Sequence, residues 1–161
     1  LSGANLVDAD FDEADLSYAD LSYANLSGAF SLRGASLEGA DLSYSDLSGL
    51  SCDYCDLSGI YFYGANMNDS SLMNADLSGA NLSNVFMIGA NLQQASLASV
   101  DLSNSVLLGS DMIFASLINA NLSGADMSTA DVGEVVWWNT ICPDGTNSND
   151  NTSDDTSICI I

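Results

Sequence analysis

The sequence predicts an all-β solenoid, a parallel β-helix that turns by about 90° every five residues and ends in an irregular C-terminal tail. Two observations predict this fold. An apolar residue recurs at every fifth position from Leu1 to Val132, with one extra residue between Leu26 and Leu32, and none of these central residues is polar. A small residue, most often Ala, stands two positions before nearly all of them.

No other regular backbone buries this pattern. An α-helix would distribute a five-residue repeat around its whole circumference, and a flat strand would place alternate central residues on opposite faces. In a coil of four such units the central and small residues both point to one axis, and about 6.5 coils stack roughly 4.8 Å apart. Central residues one coil apart then share a face, as predicted for Leu37, Leu57, Leu77, Leu97 and Leu117. At about 1.5–3 kcal/mol per buried Leu, we expect this axial column to dominate the folding free energy.

Several units share one local pattern. Examples are Ala14-Asp15-Leu16-Ser17-Tyr18, Ala24-Asn25-Leu26-Ser27-Gly28, Ala75-Asp76-Leu77-Ser78-Gly79 and Ala120-Asn121-Leu122-Ser123-Gly124. These units resemble the A-[D/N]-L-x-x signature of the pentapeptide-repeat family, over residues 1 to about 136. The resemblance implies a right-handed quadrilateral β-helix over residues 1–136. The composition then shifts to Asn, Asp, Ser and Thr, so we expect residues 137–161 to form a C-terminal cap and an irregular polar tail. It implies little about function, because fold does not dictate role.

The charge of the chain limits its partners. The net charge is −21, and Arg33 is the only cation, so nucleic acids and anionic membranes would be repelled. Solvation of an acidic surface in salty water is the simplest explanation of this charge. No run of 18 apolar residues exists, so we expect no membrane span. The start at Leu1, in mid-repeat, indicates that preceding residues were cleaved or are missing from this sequence.

Four cysteines form two unlike pairs. Cys52 is a central residue and Cys55 occupies the next small slot, so both should face the axis. Two buried thiols are the favoured interpretation, a local disulfide is the main alternative, and a redox or zinc site would lack a second ligand pair. Cys142 and Cys159 bracket a polar loop, and we expect a disulfide between them, which closes a ring of about 18 residues and contributes about 3 kcal/mol. That bond implies an oxidising compartment, hence an extracellular or periplasmic protein.

The tail gives this localisation a second basis. The stretch Cys142-Pro143-Asp144-Gly145-Thr146-Asn147-Ser148 resembles a tail that follows the repeats in some exported bacterial pentapeptide proteins.

Outward positions that are apolar instead of Ser, Gly, Asn or Asp predict an interface. Phe86, Ile88, Val106 and Leu108 map to one face of consecutive coils, and Ile113, Phe114 and Ile118 continue around the next corners. Asn66, Asn68, Asp126 and Ser128 bound the group. The alternative is that the end of the chain, residues 158–161, folds back over these side chains. A second surface is predicted at Tyr23, Tyr44, Tyr61 and Tyr63, although an aromatic ladder that only stabilises adjacent coils explains these residues equally well.

Two irregularities interrupt or end the repeat. The extra residue should bulge outward near Phe30, as a tolerated insertion rather than a binding loop, and Arg33 should pair with Asp10 or Asp53. Trp137 falls on the central position and is expected to plug the open C-terminal coil.

No catalytic constellation is present, because a Ser or Cys nucleophile would have only carboxylates as a base, and we expect neither an enzyme nor a cofactor. The loop oxygens of Asp144, Asn147, Asn149 and Asp150 are dense enough to attract calcium. However, Gly145 does not fit the helix-loop-helix calcium motif and no Glu closes the site, so a solvated loop is favoured.

Three functions remain open from the sequence. The favoured one is a non-enzymatic exported structural module that binds a protein, another copy of itself or a filament neighbour through its outward patches. The second is a calcium-dependent adhesion module. The third comes from the family resemblance, since some pentapeptide-repeat proteins are acidic mimics of duplex DNA that bind type II topoisomerases. The tail cysteines and the many neutral Ser and Gly positions count against that third function.

Overall fold

The computed structural model describes residues 1–28, 32, 34–149 and 159. Over these residues the backbone forms neither a helix nor an extended strand, and consists of two-residue turns that alternate with single-residue bridges. The predicted period is visible in this alternation, because nearly every unit contains one turn and one bridge residue. The fold is all-β, as predicted, but it is built from isolated bridges instead of strands.

Each unit turns through the same local geometry, which Ala75–Gly79 illustrates. The N–H of Ala80 donates to the carbonyl of Leu77 at 3.0 Å and closes a four-residue turn. Gly79, the third residue of that turn, has a φ of 68°, in the left-handed region that a type II turn requires at this position. Gly adopts this φ without strain because it lacks a Cβ, whereas other units place a non-Gly residue at the same position, such as Asn84 with a φ of 59°.

The bridges align residues of successive coils into four columns, each named here after one member. Bridged partners lie 20 residues apart, or 21 where the extra residue intervenes. The Asn66 column contains residues 5, 25, 46, 66, 86, 106 and 126; the Ser71 column contains 51, 71, 91, 111 and 131. The Asp76 column contains 15 and 36, then 56, 76, 96, 116 and 136, and the Asn81 column contains 20, 41, 61, 81, 101, 121 and 141.

The core lies along the axis of these coils. Every central residue from Leu21 to Met127 is buried, and the Ala residues of most small slots are buried beside them. Where Ser fills a small slot, its hydroxyl is satisfied locally: Ser45 donates to a carbonyl three residues earlier at 2.7 Å. Ser70 differs, because its hydroxyl is the one buried side-chain polar atom in the described part of the chain that has no partner.

One bridge that the repeat predicts is missing. Among the described residues, no bridge joins Ser36 to Asp56, although Asp56, Asp76, Ser96 and Ser116 are bridged in turn. The central leucines of those later units are stacked as predicted, but the stack from Leu37 to Leu57 lacks its main-chain ladder. Both of these leucines remain buried despite the gap.

A short hairpin-like loop follows the last coil. Ile141 bridges Asn121 in parallel and Asn147 in antiparallel fashion, so the chain reverses within residues 141–147. The buried hydroxyl of Thr140 donates to the carbonyl of Leu117 at 2.6 Å, which ties this loop to the preceding coil. Trp137 is buried, in agreement with its predicted position on the axis.

Candidate functional site

The acidic position of the repeat acts within the turn. In the unit Ala75–Gly79, the N–H of Ser78 donates to Asp76 Oδ1 at 2.9 Å. Asn serves equally well, since the N–H of Ser83 donates to Asn81 Oδ1 at 3.1 Å. This Asx interaction supplies an acceptor to a turn N–H, and it explains why Asp and Asn alternate at this slot.

Three carboxylates at this position and one in the tail loop have a lowered pKa. Hydrogen bonds from the side chain and then the N–H of the residue two positions later lower the pKa of each one. The four are Asp15, Asp20, Asp56 and Asp144, with the partners Ser17, Ser22, Ser58 and Thr146. We call them the hydroxyl-capped aspartates. They stay ionised at neutral pH and contribute to the strongly acidic surface.

The largest departure from polar outward positions lies on the Asn66 column. Phe86 and Val106 bridge each other in adjacent coils, with Phe86 47% exposed. Ile88 is 41% exposed and Leu108 is half-buried, and the Gly89 N–H bond to the Leu108 carbonyl at 2.9 Å places Leu108 one coil from Ile88. We call Phe86, Ile88, Val106 and Leu108 the apolar strip.

Polar residues end the apolar strip in both directions. Asn66 bridges Phe86 on one side, and Asp126 bridges Val106 on the other. The N–H of Ile88 donates to Asn68 Oδ1 at 2.8 Å, so the polar boundary is joined to the strip by a hydrogen bond. An apolar patch with a polar rim is the usual form of a contact surface.

Other predicted interface residues lie further along the coil. Ile113 and Ile118 are half-buried, whereas Phe114 is exposed. The sequence prediction missed Trp138, which is 63% exposed. The Asn119 N–H donates to the Trp138 carbonyl at 2.8 Å, which places Trp138 one coil after Ile118. Val136 and Ile141 are also exposed and were missed. The 20-residue register from Ile118 to Trp138 would have indicated this extension.

The tyrosines form a connected aromatic group in the units that carry the Asn81 column. The rings of Tyr23 and Tyr44 stack with centroids 4.9 Å apart and an interplanar angle of 10°. Tyr63 meets Tyr44 edge-on, with centroids 5.3 Å apart and an angle of 80°. Tyr61 is exposed in the same unit as Tyr63. These contacts join adjacent coils, and the four residues also present aromatic surface to solvent.

Two tyrosine rings lie directly over glycines of the next coil. A Cβ built on Gly39 would lie 2.7 Å from Cδ1 of Tyr18, and one on Gly64 would lie 2.9 Å from Cδ1 of Tyr44. The Tyr18 hydroxyl donates to Glu38 Oε1 at 2.9 Å, and this bond with the carboxylate charge raises the pKa of Tyr18. Tyr18 and Tyr44 also have positive φ, where a bulky side chain is unfavourable.

All four cysteines are paired in disulfides. Cys142 and Cys159 are bonded, which confirms the predicted closure of the tail. Cys52 and Cys55 face the core as predicted, but they also form a disulfide, so their interpretation as two buried thiols is wrong. A local disulfide is geometrically feasible because the Cα atoms of this i, i+3 pair are 5.3 Å apart.

The tail oxygens considered for calcium are engaged within the loop. Asp144 Oδ1 accepts the N–H and hydroxyl of Thr146 at 2.9 and 2.7 Å, and Asn147 Oδ1 accepts the N–H of Asn149 at 2.9 Å. Asn149 Oδ1 accepts the N–H of Asn139 at 3.0 Å. Among the residues the structure describes, no three His, Cys, Asp or Glu side chains are grouped to hold a metal ion. Calcium binding stays a prediction.

Some predictions concern residues outside the described ranges. These are the bulge at residues 29–31, the pairing of Arg33, the contribution of Asp150 to a calcium loop, and the fold-back of Ile158, Ile160 and Ile161. One proposed partner of Arg33, Asp53, accepts the Ser71 hydroxyl at 2.6 Å and the Met73 N–H at 3.0 Å.

The bridge columns, the five-residue turns and the buried central leucines define the chain as a β-solenoid of short repeats. The family model for pentapeptide repeats matches eight copies, over residues 1–30, 31–51, 55–94 and 95–132, and the chain belongs to this family. A search of curated proteins gave no match. Across the described residues, no helix has the length and apolar character needed to cross a bilayer.

Solved structures of other pentapeptide repeat proteins are similar at low identity. Rfr23 from the cyanobacterium Cyanothece 51142 is 20% identical over 86% of this chain and 85% of its own, with a TM-score of 0.49. HetL from Nostoc sp. strain PCC 7120, involved in heterocyst differentiation regulation, is 24% identical over 91% and 92%, with a TM-score of 0.26. Full-length QnrB1, a plasmid-mediated fluoroquinolone resistance protein, is 22% identical over 83% and 84%, with a TM-score of 0.24.

Proposed function

We propose that the protein is a non-enzymatic interaction module that associates with a protein, including a second copy of itself, through the apolar strip. The observation that carries this proposal is the continuity of Phe86, Ile88, Val106 and Leu108 across two bridged coils. Burial of these side chains in a contact would stabilise it by about 25 cal/mol for each Å² of apolar surface removed from water. The exposed Trp138 and Phe114 extend the available surface.

The tyrosine group is proposed as a second contact surface. Tyr23, Tyr44, Tyr61 and Tyr63 present rigid amphipathic rings, which lose little conformational entropy on binding. Their contacts across adjacent coils support this role, because rings that are already packed need less ordering when a partner binds.

The proposed site of action is outside the cytosol. Both disulfides support an extracellular or periplasmic location, since such bonds persist in oxidising compartments. The same compartment weighs against a role on a cytosolic topoisomerase. No observation on the described residues favours calcium-dependent adhesion over association through the apolar strip.

The finer shape of the rod belongs to the same proposal. Four bridge columns and a 20-residue register support a right-handed quadrilateral cross-section with about 6.5 coils over residues 1–136. The antiparallel bridge at Ile141 and the Cys142–Cys159 bond support residues 137–161 as a cap. A capped end would direct association to the sides of the rod.

The test compares self-association of the native protein with that of the double variant Phe86→Asn and Ile88→Ser, which restores the residues common at these slots. Light scattering and electron microscopy across micromolar concentrations should show dimers or filaments for the native chain and fewer for this variant. Tyr54→Asn is the matched control, because Tyr54 is exposed away from the strip and Asn tolerates its positive φ. A strictly monomeric native protein, or equal association of all three proteins, would contradict self-association through the strip.

A further inference from the structure

The missing bridge between Ser36 and Asp56 leaves main-chain groups unpaired. In a regular pair of units, Leu57 N–H donates to Asp76 at 2.7 Å and Asp76 N–H donates to Cys55 at 2.9 Å. None of the equivalent main-chain bonds forms between residues 35–39 and 55–59, although all ten residues are described. The N–H groups of Leu37 and Asp56 and the carbonyl of Asp56 therefore face no ladder partner.

The gap is a lateral opening within the rod and not a frayed end. The Asn81 column on one side of the gap is closed, since Leu42 N–H donates to Tyr61 at 2.8 Å, and so is the Asn66 column, where Leu26 N–H donates to Asp46 at 2.7 Å. In the Ser71 column between them, the described residues of 32–34 and 51–53 form no main-chain bond, so the opening extends to that side. A cavity of about 340 Å³ occupies the opening. It is lined by residues 35–38 on one side and by Asp56, Ser58 and Ile60 on the other. We call this cavity the lateral cleft.

The lateral cleft combines three chemical features. Unpaired N–H and C=O groups on facing β-bridged segments are the elements that recruit an extended chain by main-chain hydrogen bonding. Leu37 and Ile60 provide an apolar floor, because both are buried. Glu38 and Asp56 add one carboxylate to each lip, and the charge of the whole chain reinforces their negative potential.

These features select one kind of occupant. An extended segment satisfies the main-chain groups, and cationic side chains complement the two carboxylates. A second copy of this chain lacks the required positive charge, because its sequence contains one Lys or Arg residue and 22 Asp and Glu residues. The Cys52–Cys55 disulfide ends directly before Asp56 and restrains that lip, so that less ordering is needed on binding.

We propose that the lateral cleft binds an extended, Lys- or Arg-bearing segment of another protein. Its main chain pairs with the free groups of Leu37 and Asp56, and its cations pair with Glu38 and Asp56. This site is separate from the apolar strip, which lies beyond residue 85. Failure of either proposal therefore leaves the other standing.

The binding test uses isothermal titration calorimetry with an acetylated peptide of alternating Lys and Val. The double variant Glu38→Gln and Asp56→Asn should bind this peptide about tenfold more weakly, as expected for the loss of two partly exposed ion pairs. Asp101→Asn with Asp131→Asn is the matched control, because it removes the same charge where the ladder is complete and away from both lips of the cleft. Each Asn keeps the oxygen that caps its turn, so all three proteins should melt at similar temperatures.

Two further probes separate main-chain pairing from charge. A peptide of alternating Lys and Pro has the same charge as the Lys-Val peptide but only half of its main-chain N–H donors, because Pro has none. It should bind several-fold more weakly than the Lys-Val peptide. Spermine should also bind more weakly, since it carries charge without a peptide backbone. Equal affinity of either probe, equal weakening by the control variant, or no binding of the Lys-Val peptide would overturn the proposal.

Amide hydrogen exchange measured by NMR tests the cleft without a ligand. The amide of Leu37 should exchange at least tenfold faster than that of Leu77, which donates to Ser96 at 2.8 Å, and the Lys-Val peptide should slow it. Equal protection of Leu37 and Leu77 in the free protein would show that the ladder is closed in solution, and would overturn the proposal.

Discussion

The turn-capping role of the acidic slot can be tested by separating its oxygen from its charge at Asp76. Asp76→Asn keeps an Oδ1 acceptor for the Ser78 N–H, whereas Asp76→Ala removes it. Asn already performs this function at Asn81 in the next unit along the chain. If the cap is what the fold requires, the two substitutions must differ in sign or size.

The structure sets the magnitudes. Loss of one hydrogen bond to a turn N–H lowers the free energy of unfolding by about 0.5–1.5 kcal/mol. Asp76 also bridges Asp56 directly, and like charges in opposed positions destabilise the pair by a few tenths of a kcal/mol, which both substitutions relieve. We therefore expect Asp76→Ala to lower stability by about 1 kcal/mol and Asp76→Asn to leave it unchanged or raise it by about 0.3 kcal/mol.

Thermal unfolding followed by circular dichroism measures this difference. For a domain of this size, 1 kcal/mol corresponds to a shift in Tm of about 2–4 °C. The gain of Asp76→Asn should vanish at about 1 M salt, where charge repulsion is screened, but the loss of Asp76→Ala should persist. Equal destabilisation by both substitutions would show that the carboxylate charge, and not the acceptor oxygen, is what this slot requires.

Three other substitutions give expected outcomes with internal controls. Ser70→Ala should raise the free energy of unfolding, measured in urea, by about 1 kcal/mol, because the buried Ser70 hydroxyl has no hydrogen-bond partner. Ser45→Ala removes an existing hydrogen bond and should lower this free energy by a similar amount. A change of the same sign in both variants would refute the prediction. Gly39→Ala should lower the Tm more than Gly49→Ala, since both have positive φ but only the first Cβ would collide with a tyrosine ring, and equal shifts would contradict that contact. Asp20→Asn tests stability in acid. Because folding lowers the pKa of Asp20, this carboxylate stabilises the native protein above the usual Asp pKa, and the contribution is lost as pH falls through the folded pKa. The native protein should therefore lose stability relative to the variant below about pH 4. A difference between the two that is constant with pH would contradict it.

The periodic part of the fold is predictable because each unit repeats one local solution. Leu77 and Leu97 are both buried, and the residues before them bridge each other, as the 20-residue register requires. The same arithmetic places Phe86 beside Val106. These contacts can be predicted from the positions of the central residues alone, because the five-residue period sets the direction in which each side chain points.

The lateral cleft is not predictable in this way. The unit Ala35-Ser36-Leu37-Glu38-Gly39 has the same pattern as units whose ladders are complete, so its local sequence gives no sign of a missing bridge. The pairing of Cys52 with Cys55 is also hard to predict, because axial cysteines pack equally well as thiols. The missing bridge depends on how two adjacent coils sit against each other, and the disulfide depends on the oxidation state of two cysteines within one coil; a one-unit pattern encodes neither.

Salt should act in opposite directions on the two proposed contacts. Two copies of a chain with a net charge of −21 repel each other, so association through the apolar strip must overcome this repulsion. Raising the ionic strength from about 0.1 M to about 1 M shortens the screening length from about 10 Å to about 3 Å, and this should strengthen self-association. The same change should weaken binding of a cationic segment at Glu38 and Asp56. Sedimentation of the native protein and calorimetry with the Lys-Val peptide, in the same buffers, measure the two responses. If salt weakened both contacts, charge would govern both of them, and self-association would not have an apolar origin.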